Sequence, residues 1–182
     1  AVPIIKEILA AYNIPILEVC GYEADDVIGT IAKLAEKKGF DTYMMTPDKD
    51  FGQLVSEHVF QYKPRHGGGY DIYGVNEVKE KYEIRDPLMI IDMLGLMGDS
   101  ADNIPGCPGV GEKTAIKLIN EFGSIENLIT STEKLKGALK LKIENNIEQI
   151  KFSKFLATIK IDVPINFDED SFFQEEFPYF LA

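Results

Sequence analysis

A glycine- and proline-rich stretch at residues 98–115, GDSADNIPGCPGVGEKTA, constrains the fold of this chain more than any other segment. A glycine-rich turn that leads into a helix leaves backbone N–H groups free to bind an anion such as phosphate. The pattern fits a helix–hairpin–helix unit, which grips a nucleic-acid backbone without reading its bases. An ordinary connection between two helices is the alternative interpretation.

The hairpin residues that we expect to contact DNA combine small residues with positive charge. Gly109 and Gly111 allow a phosphate to approach the backbone closely, and Lys113 and Lys117 attract it. The predicted DNA-binding residues are Gly106, Gly109, Val110, Gly111, Lys113, Thr114 and Lys117.

The first half of the chain alternates between helical patterns and short apolar runs. Apolar side chains recur at helical spacing in residues 2–12 and 23–38. The apolar runs at 14–20 and 42–45 are typical of buried strands. This alternation predicts an α/β fold whose core is a parallel, PIN- or Rossmann-like sheet.

A second group of patterns predicts a β-hairpin and then a helical lobe. Strand-like segments at 59–62 and 70–73 flank a glycine-rich turn. We expect further helices at 76–82, 87–97, 112–122 and 124–129 and a short helix at 51–55. A capping signature at 130–133 predicts a helix that reaches about residue 149, and a further helix to Ile159 is an option.

Three segments follow from these patterns. Residues 1–94 form the metal-binding α/β core, residues 95–160 form the helical DNA-binding lobe, and residues 161–182 form an acidic, aromatic tail. The tail packs back on the core or leads to a further domain. Its aromatic residues are Phe167, Phe172, Phe173, Phe177, Tyr179 and Phe180.

Acidic residues cluster after both apolar runs and again at the start of the glycine-rich stretch. Because the carboxyl ends of parallel strands meet at one edge of a sheet, the first two clusters should converge. Each acid alone is also typical of a helix cap or a turn. The candidate metal ligands are Glu23, Asp25, Asp26, Asp48, Asp50, Asp99 and Asp102.

Divalent cations would relieve the repulsion between carboxylates gathered at one edge. Oxygen ligands without nearby His or Cys favour Mg²⁺ or Mn²⁺ over zinc. Two such ions about 4 Å apart activate a water molecule and stabilise the leaving oxygen of a phosphodiester. The acids therefore indicate metal-dependent cleavage of a phosphate polymer.

The net charge of −11 argues at first against a polyanionic partner. However, residues 104–160 contain nine lysines and six glutamates, whereas residues 161–182 contain six acids and no base. A basic lobe beside an acidic pocket suits a metal-dependent enzyme that acts on a polyanion, although a solvated acidic surface is an alternative. Two cysteines and no membrane-length apolar run favour a cytoplasmic protein with no membrane partner.

The motifs GYEADD at 21–26, TPDKD at 46–50, GDSADNIPG at 98–106 and GVGEKTA at 109–115 resemble those of the 5′ nuclease (5′-3′ exonuclease) domain of bacterial DNA polymerase I, in the flap endonuclease superfamily. The resemblance covers essentially the whole chain. It implies catalytic roles for Asp48 and Asp50. It also implies one metal position at Glu23, Asp25, Asp26 and Asp48, and a second at Asp50, Asp99 and Asp102.

The resemblance further implies a helix–three-turn–helix that holds duplex DNA, with a potassium ion on the carbonyls of its hairpin. The reaction would be magnesium-dependent hydrolysis at 5′ ends and flaps, next to a polymerase domain in the same parent chain, in the bacterial cytoplasm near the nucleoid.

One departure from the family pattern leads us to expect an N-terminally truncated fragment. The family's domain has further metal-binding acids and a basic helical arch before the position that corresponds to Ala1. A DNA-binding module without turnover is therefore one alternative for this chain, and an RNA-cleaving, PIN-like relative is another.

Overall fold

A three-stranded sheet and an assembly of helices make up the protein, in a computed structural model that describes residues 2–172. The strands are Thr42–Met45 (β1), Val59–Pro64 (β2) and Tyr70–Tyr73 (β3), and 3-10 turns lie at Asp50–Leu54 and Thr132–Lys134. The α-helices of the described residues are Val2–Ala11 (α1), Ala24–Lys37 (α2), Val75–Tyr82 (α3), Met89–Met97 (α4), Glu112–Phe122 (α5), Ile125–Thr130 (α6), Gly137–Asn145 (α7), Ile147–Ala157 (α8) and Glu169–Phe172 (α9).

The sheet has the order β1-β2-β3 and is mixed. Strand β1 runs parallel to β2, with Thr42 opposite Val59, and β2 runs antiparallel to β3, with Gln61 opposite Tyr73. Helix α2 packs on β1 and β2. This arrangement, followed by a helical lobe, confirms the predicted α/β class.

The prediction of a buried strand at residues 14–20 is wrong. The segment pairs with no strand, and Ile14, Ile16 and Leu17 are about 40% exposed. A cavity of about 430 Å³ separates it from β1, lined in part by Pro15, Leu17 and Tyr43. An apolar run predicts burial, but a strand also requires a neighbour that accepts its backbone hydrogen bonds, and the described residues provide none at this position.

Helix α4 lies at the centre of the core. Ile90, Met93, Leu94 and Leu96 are fully buried, and the helix packs against α5, α8 and the 3-10 turn at Asp50–Leu54. The predicted division at residue 94 therefore falls inside a buried helix, and it stays a prediction. Within residues 2–172, no helix combines the length and the apolar character needed to cross a bilayer.

The predicted helix from 130–133 to about 149 is also wrong, because the backbone interrupts it twice. Leu135 and Lys136 have extended backbone, with ψ values of 154° and 153°, between the 3-10 turn and α7. Asn146 takes a φ of −123° between α7 and α8. Helix α8 then continues to Ala157 and packs on α4.

The residues after α8 run along α2. The backbone N–H of Val163 donates to Thr30 Oγ1 at 3.2 Å, and the rings of Phe40 and Phe167 lie 5.7 Å apart. Glu169 forms an ion pair with Lys38 at 2.8 Å. The predicted tail residues Phe173, Phe177, Tyr179 and Phe180 lie outside the described residues.

Candidate functional site

Three acids from two separate parts of the chain meet beside the sheet. Asp50 begins the 3-10 turn after β1, and Asp99 and Asp102 lie in the turn that follows α4. One carboxylate oxygen of each lies within 4.8 Å of the others. A two-residue bridge fixes that turn, because Asp99 and Ile104 exchange backbone hydrogen bonds of 2.9 and 2.7 Å.

Asp50 has the environment of a metal ligand. Its residue is 8% exposed, and its Oδ1 is buried without a hydrogen-bond partner within residues 2–172. Burial, followed by the charges of Asp48, Asp102 and Asp99, raises the pKa of Asp50 to about 7. An orphaned carboxylate oxygen beside two further carboxylates, with oxygen donors only, fits a hard divalent cation.

Lys49 partly neutralises this cluster. Its Nζ lies 2.5 Å from Asp99 Oδ2. Burial opposes the charge of Lys49, but the hydrogen bond to Asp99 and the attraction of neighbouring acids outweigh it and raise the Lys49 pKa. The same hydrogen bond lowers the pKa of Asp99. Sequence analysis did not assign Lys49 a role, although a base between two acids in TPDKD is a usable signal.

The acids at the N-terminus of α2 adjoin the same site. Glu23, Asp25 and Asp26 line a cavity of about 300 Å³ that Asp50 and Asp102 also line. Burial, and then the charges of Asp48 and Glu23, raise the pKa of Asp25. Three acids of the first predicted group and two of the second are therefore neighbours around one cavity.

Two of the predicted ligands have additional structural contacts. Asp26 Oδ1 accepts a hydrogen bond of 2.8 Å from the backbone N–H of Lys160. Asp48 Oδ1 accepts one of 3.0 Å from the backbone N–H of Asp50. The charge of Asp48 acts on both Asp25 and Asp50, which links the α2 acids to the Asp50 group.

Gln61 supports the loop that carries Asp48 and Asp50, and sequence analysis missed it. It is 1% exposed, and its Nε2 donates to the carbonyl oxygens of Thr46, at 3.2 Å, and Asp48. The available signal was the alternation of β2, in which Gln61 occupies an inward position after Val59.

The hairpin at 106–111 is anchored from the inside. The Gly106 N–H donates to Ser153 Oγ at 2.9 Å, and its carbonyl accepts from Gln149 Nε2 at 2.7 Å. Val110 is 3% exposed. Gly106 and the side chain of Val110, two of the predicted DNA contacts, are therefore buried, because they attach the hairpin to the core.

The outer part of the hairpin is open. Gly109 and Gly111 are exposed, and within residues 2–172 their N–H groups have no hydrogen-bond acceptor. Lys113 and Lys117 are exposed on α5, and Thr114 is half-buried there. The free amides and the start of α5 therefore form a surface suited to a phosphate group.

Profiles of two successive families match the chain. Residues 1–83 match "5′-3′ exonuclease, N-terminal resolvase-like domain", and residues 85–178 match "5′-3′ exonuclease, C-terminal SAM fold". The class is thus a resolvase-like α/β unit joined to a helical SAM-fold unit. The chain belongs to the 5′-3′ exonuclease family, which confirms the resemblance carried by its motifs.

Similar proteins include DNA polymerases and a bacteriophage exonuclease. DNA polymerase I of Bacillus subtilis (strain 168) is 50% identical over 165 residues, covering 90% of this chain and 19% of that protein. DNA polymerase I of Bacillus caldotenax is 44% identical over 170 residues, covering 92% and 19%. The T5 5′-exonuclease solved with divalent zinc ions has a TM-score of 0.72 at 25% identity, covering 82% of this chain and 55% of that one. The chain spans about a fifth of the length of these polymerases.

Proposed function

We propose that this chain is part of a metal-dependent 5′ nuclease that hydrolyses phosphodiesters of DNA at 5′ ends and flaps. The observation that carries the proposal is the buried Oδ1 of Asp50, which has no hydrogen-bond partner among residues 2–172 and whose carboxylate lies within 4.8 Å of oxygens of Asp99 and Asp102. Membership of the 5′-3′ exonuclease family supports it.

Asp50, Asp99 and Asp102 would hold one divalent cation, and Glu23, Asp25, Asp26 and Asp48 a second. Oxygen-only donors favour Mg²⁺ or Mn²⁺, and the similar T5 exonuclease binds divalent ions. When bound, such ions supply an activated water and neutralise charge on the leaving oxygen. Asp48 and Asp50 are the residues whose loss should stop the reaction.

The hairpin would bind the duplex beside this centre. The free N–H groups of Gly109 and Gly111 donate to phosphate oxygens, and Lys113 and Lys117 attract the backbone without reading bases.

A potassium ion at the hairpin is a separate part of the proposal. Lys142 Nζ already donates to the Gly109 carbonyl at 3.2 Å, so potassium would bind at other carbonyls there. Tighter duplex binding in KCl than in NaCl would support it.

The polymerase relatives support the wider setting. We place the chain in a longer protein that also contains a polymerase domain and acts in the bacterial cytoplasm, because its relatives are DNA polymerases I. This places the nuclease beside a DNA-synthesising domain of the same polypeptide.

The test is cleavage of a 5′-flap DNA by the full-length protein with Mg²⁺. Asp50→Asn should lower the rate by about 100-fold or more, since it removes a ligand worth several kcal/mol. Asp162→Asn, at an exposed acid outside the site, is the matched control and should cleave normally. Undiminished cleavage by Asp50→Asn would contradict the proposal.

A second candidate function is DNA binding without turnover by the 182-residue chain. The open hairpin favours it, because its free amides do not depend on the acids. Binding of duplex DNA that weakens with salt and with Lys113→Ala, without cleavage under Mg²⁺, would select this candidate for the chain alone.

A further inference from the structure

Two lysines share one aromatic ring on the far side of β2 from β1. Lys63 occupies an inward position of β2 and is 8% exposed, whereas Lys81 lies exposed in the last turn of α3. Their Nζ atoms lie 5.2 Å and 4.8 Å from the centroid of the Tyr73 ring. The arrangement concentrates two positive charges at one place.

No carboxylate within residues 2–172 forms an ion pair with either lysine, although the charge of Asp48 acts on Lys63 and that of Lys81 acts on Asp71. Neither ammonium forms an ion pair or donates to a carbonyl there. Asp71, which faces Lys63 across the sheet, is bound by Arg65 instead. Burial, and then the charge of Lys81, lower the pKa of Lys63 to about 8.

A buried ammonium without an ion-pair partner is costly, and the aromatic ring compensates only in part. A cation over a ring gains about 0.5–2 kcal/mol, whereas burying a charge without a partner costs several. A bound anion with several oxygens would balance both ammonium groups at once. Lysine binds phosphate in this way, as a point charge with rotatable donors.

The pair lies within electrostatic reach of both parts of the proposed nuclease. The charge of Asp48 acts on Lys63. Lys81 Nζ lies 5.4 Å from the centroid of Tyr82. The pKa of Tyr82 is raised to about 12 by burial, then by Tyr73, Asp50 and Glu112, the first residue of α5. Gln61, two residues before Lys63 at an inward position of β2, donates to the Asp48 carbonyl, so the pair lies beside the loop that carries Asp48 and Asp50.

We propose that Lys63 and Lys81 form a phosphate-binding subsite for the nucleic-acid backbone, beside the loop that carries Asp48 and Asp50. The inference rests on the proposed function and names two residues of the substrate path that the motifs did not indicate. The recognised group is a backbone phosphodiester, with no contact to bases.

The experiment measures binding of a fluorescent duplex to the 182-residue chain in EDTA, across a range of salt concentrations. Lys63→Met and Lys81→Met should each weaken binding by about three- to tenfold and reduce the salt slope by about 0.9. Lys79→Met, on the same helix as Lys81, is the matched control and should bind like wild type. Wild-type affinity for Lys63→Met, or equal losses in all three variants, would overturn the subsite.

A second measurement needs no variant. In lysine side-chain NMR spectra, added inorganic phosphate should shift the Lys63 and Lys81 signals at lower concentration than the Lys79 signal. Shifts of all three at the same concentration would contradict a specific phosphate site.

Different outcomes would contradict the proposed function and the subsite. A wild-type chain that binds no duplex in EDTA contradicts the DNA-binding part of the proposed function, whereas duplex binding that Lys63→Met leaves unchanged contradicts only the subsite.

Discussion

At the scale of single residues, Asp50 shows the sharpest conflict between burial and charge. Its pKa of about 7 in the folded chain lies above its ordinary value of 3.8. The fold therefore favours the protonated form, so this contribution to stability is complete below about pH 4 and is lost as the pH rises through 7. Between pH 5 and 7, the free energy of unfolding of the metal-free chain should fall by about 1 kcal/mol per pH unit from this group.

Asp50→Asn tests that dependence. The variant should be more stable than the metal-free wild type at pH 8, and its stability should depend less on pH, as measured by urea denaturation from pH 4 to 8. Mg²⁺ should raise the Tm of the wild type, through binding to the folded state, and raise that of the variant less. Identical pH profiles for Asp50→Asn and wild type would contradict this account of Asp50.

At the scale of elements, the hairpin depends on a backbone contact with the end of α4. A Cβ built on Gly106, where φ is +61°, would lie 2.3 Å from the backbone nitrogen of Gly98. Overpacking costs about 1–3 kcal/mol and a left-handed φ about 1–2. Gly106→Ala should therefore lower the free energy of unfolding by about 3 kcal/mol, measured by chemical denaturation.

Gly111 provides the control within the same hairpin. A Cβ there meets nothing within 4 Å, and its φ of −93° is accessible to alanine. Gly111→Ala should cost less than about 1 kcal/mol, mainly through the weaker N-cap of α5. Equal losses at both glycines would show that general hairpin flexibility, and not the contact with Gly98, determines stability.

The elements also show what sequence patterns can and cannot predict. Apolar spacing predicted α2 and α5, because the buried residues of each helix recur at helical spacing within one short segment. The same reasoning failed for residues 14–20, since pairing depends on a neighbour elsewhere in the chain. It failed again after residue 130, where the breaks at Leu135–Lys136 and at Asn146 depend on backbone angles that composition does not specify.

Sequence patterns likewise predicted the acids of the candidate site but not the residues that support them. The acids could be found because they follow apolar runs and a glycine-rich turn. Gln61, Lys49 and the Lys63–Lys81 pair were missed as functional residues, because their importance comes from contacts with other elements and loops. A polar residue at an inward strand position is the local sign that could have identified two of them.

At the scale of the whole molecule, the described residues differ strongly in how deeply they are buried. Helix α4 is almost entirely inside, whereas no residue of α1 is buried. Amides of α4 should therefore exchange with solvent only on global unfolding, and those of α1 through local opening. Native-state hydrogen exchange should find α1 at least about 10³-fold less protected, given a global stability of roughly 5–15 kcal/mol. Similar protection in α1 and α4 would mean that α1 has a partner in solution.

The short connection from α4 into the hairpin has a consequence for how the proposed enzyme would measure its substrate. Asp99 and Ile104 exchange backbone hydrogen bonds, and the backbones of Gly98 and Gly106 are packed closely together, so the turn with Asp99 and Asp102 is fixed relative to the hairpin. A duplex seated on Gly109 and Gly111 would then present the same phosphodiester to the carboxylates at every encounter. The fixed distance between the hairpin and the carboxylates would then determine the length of each released product.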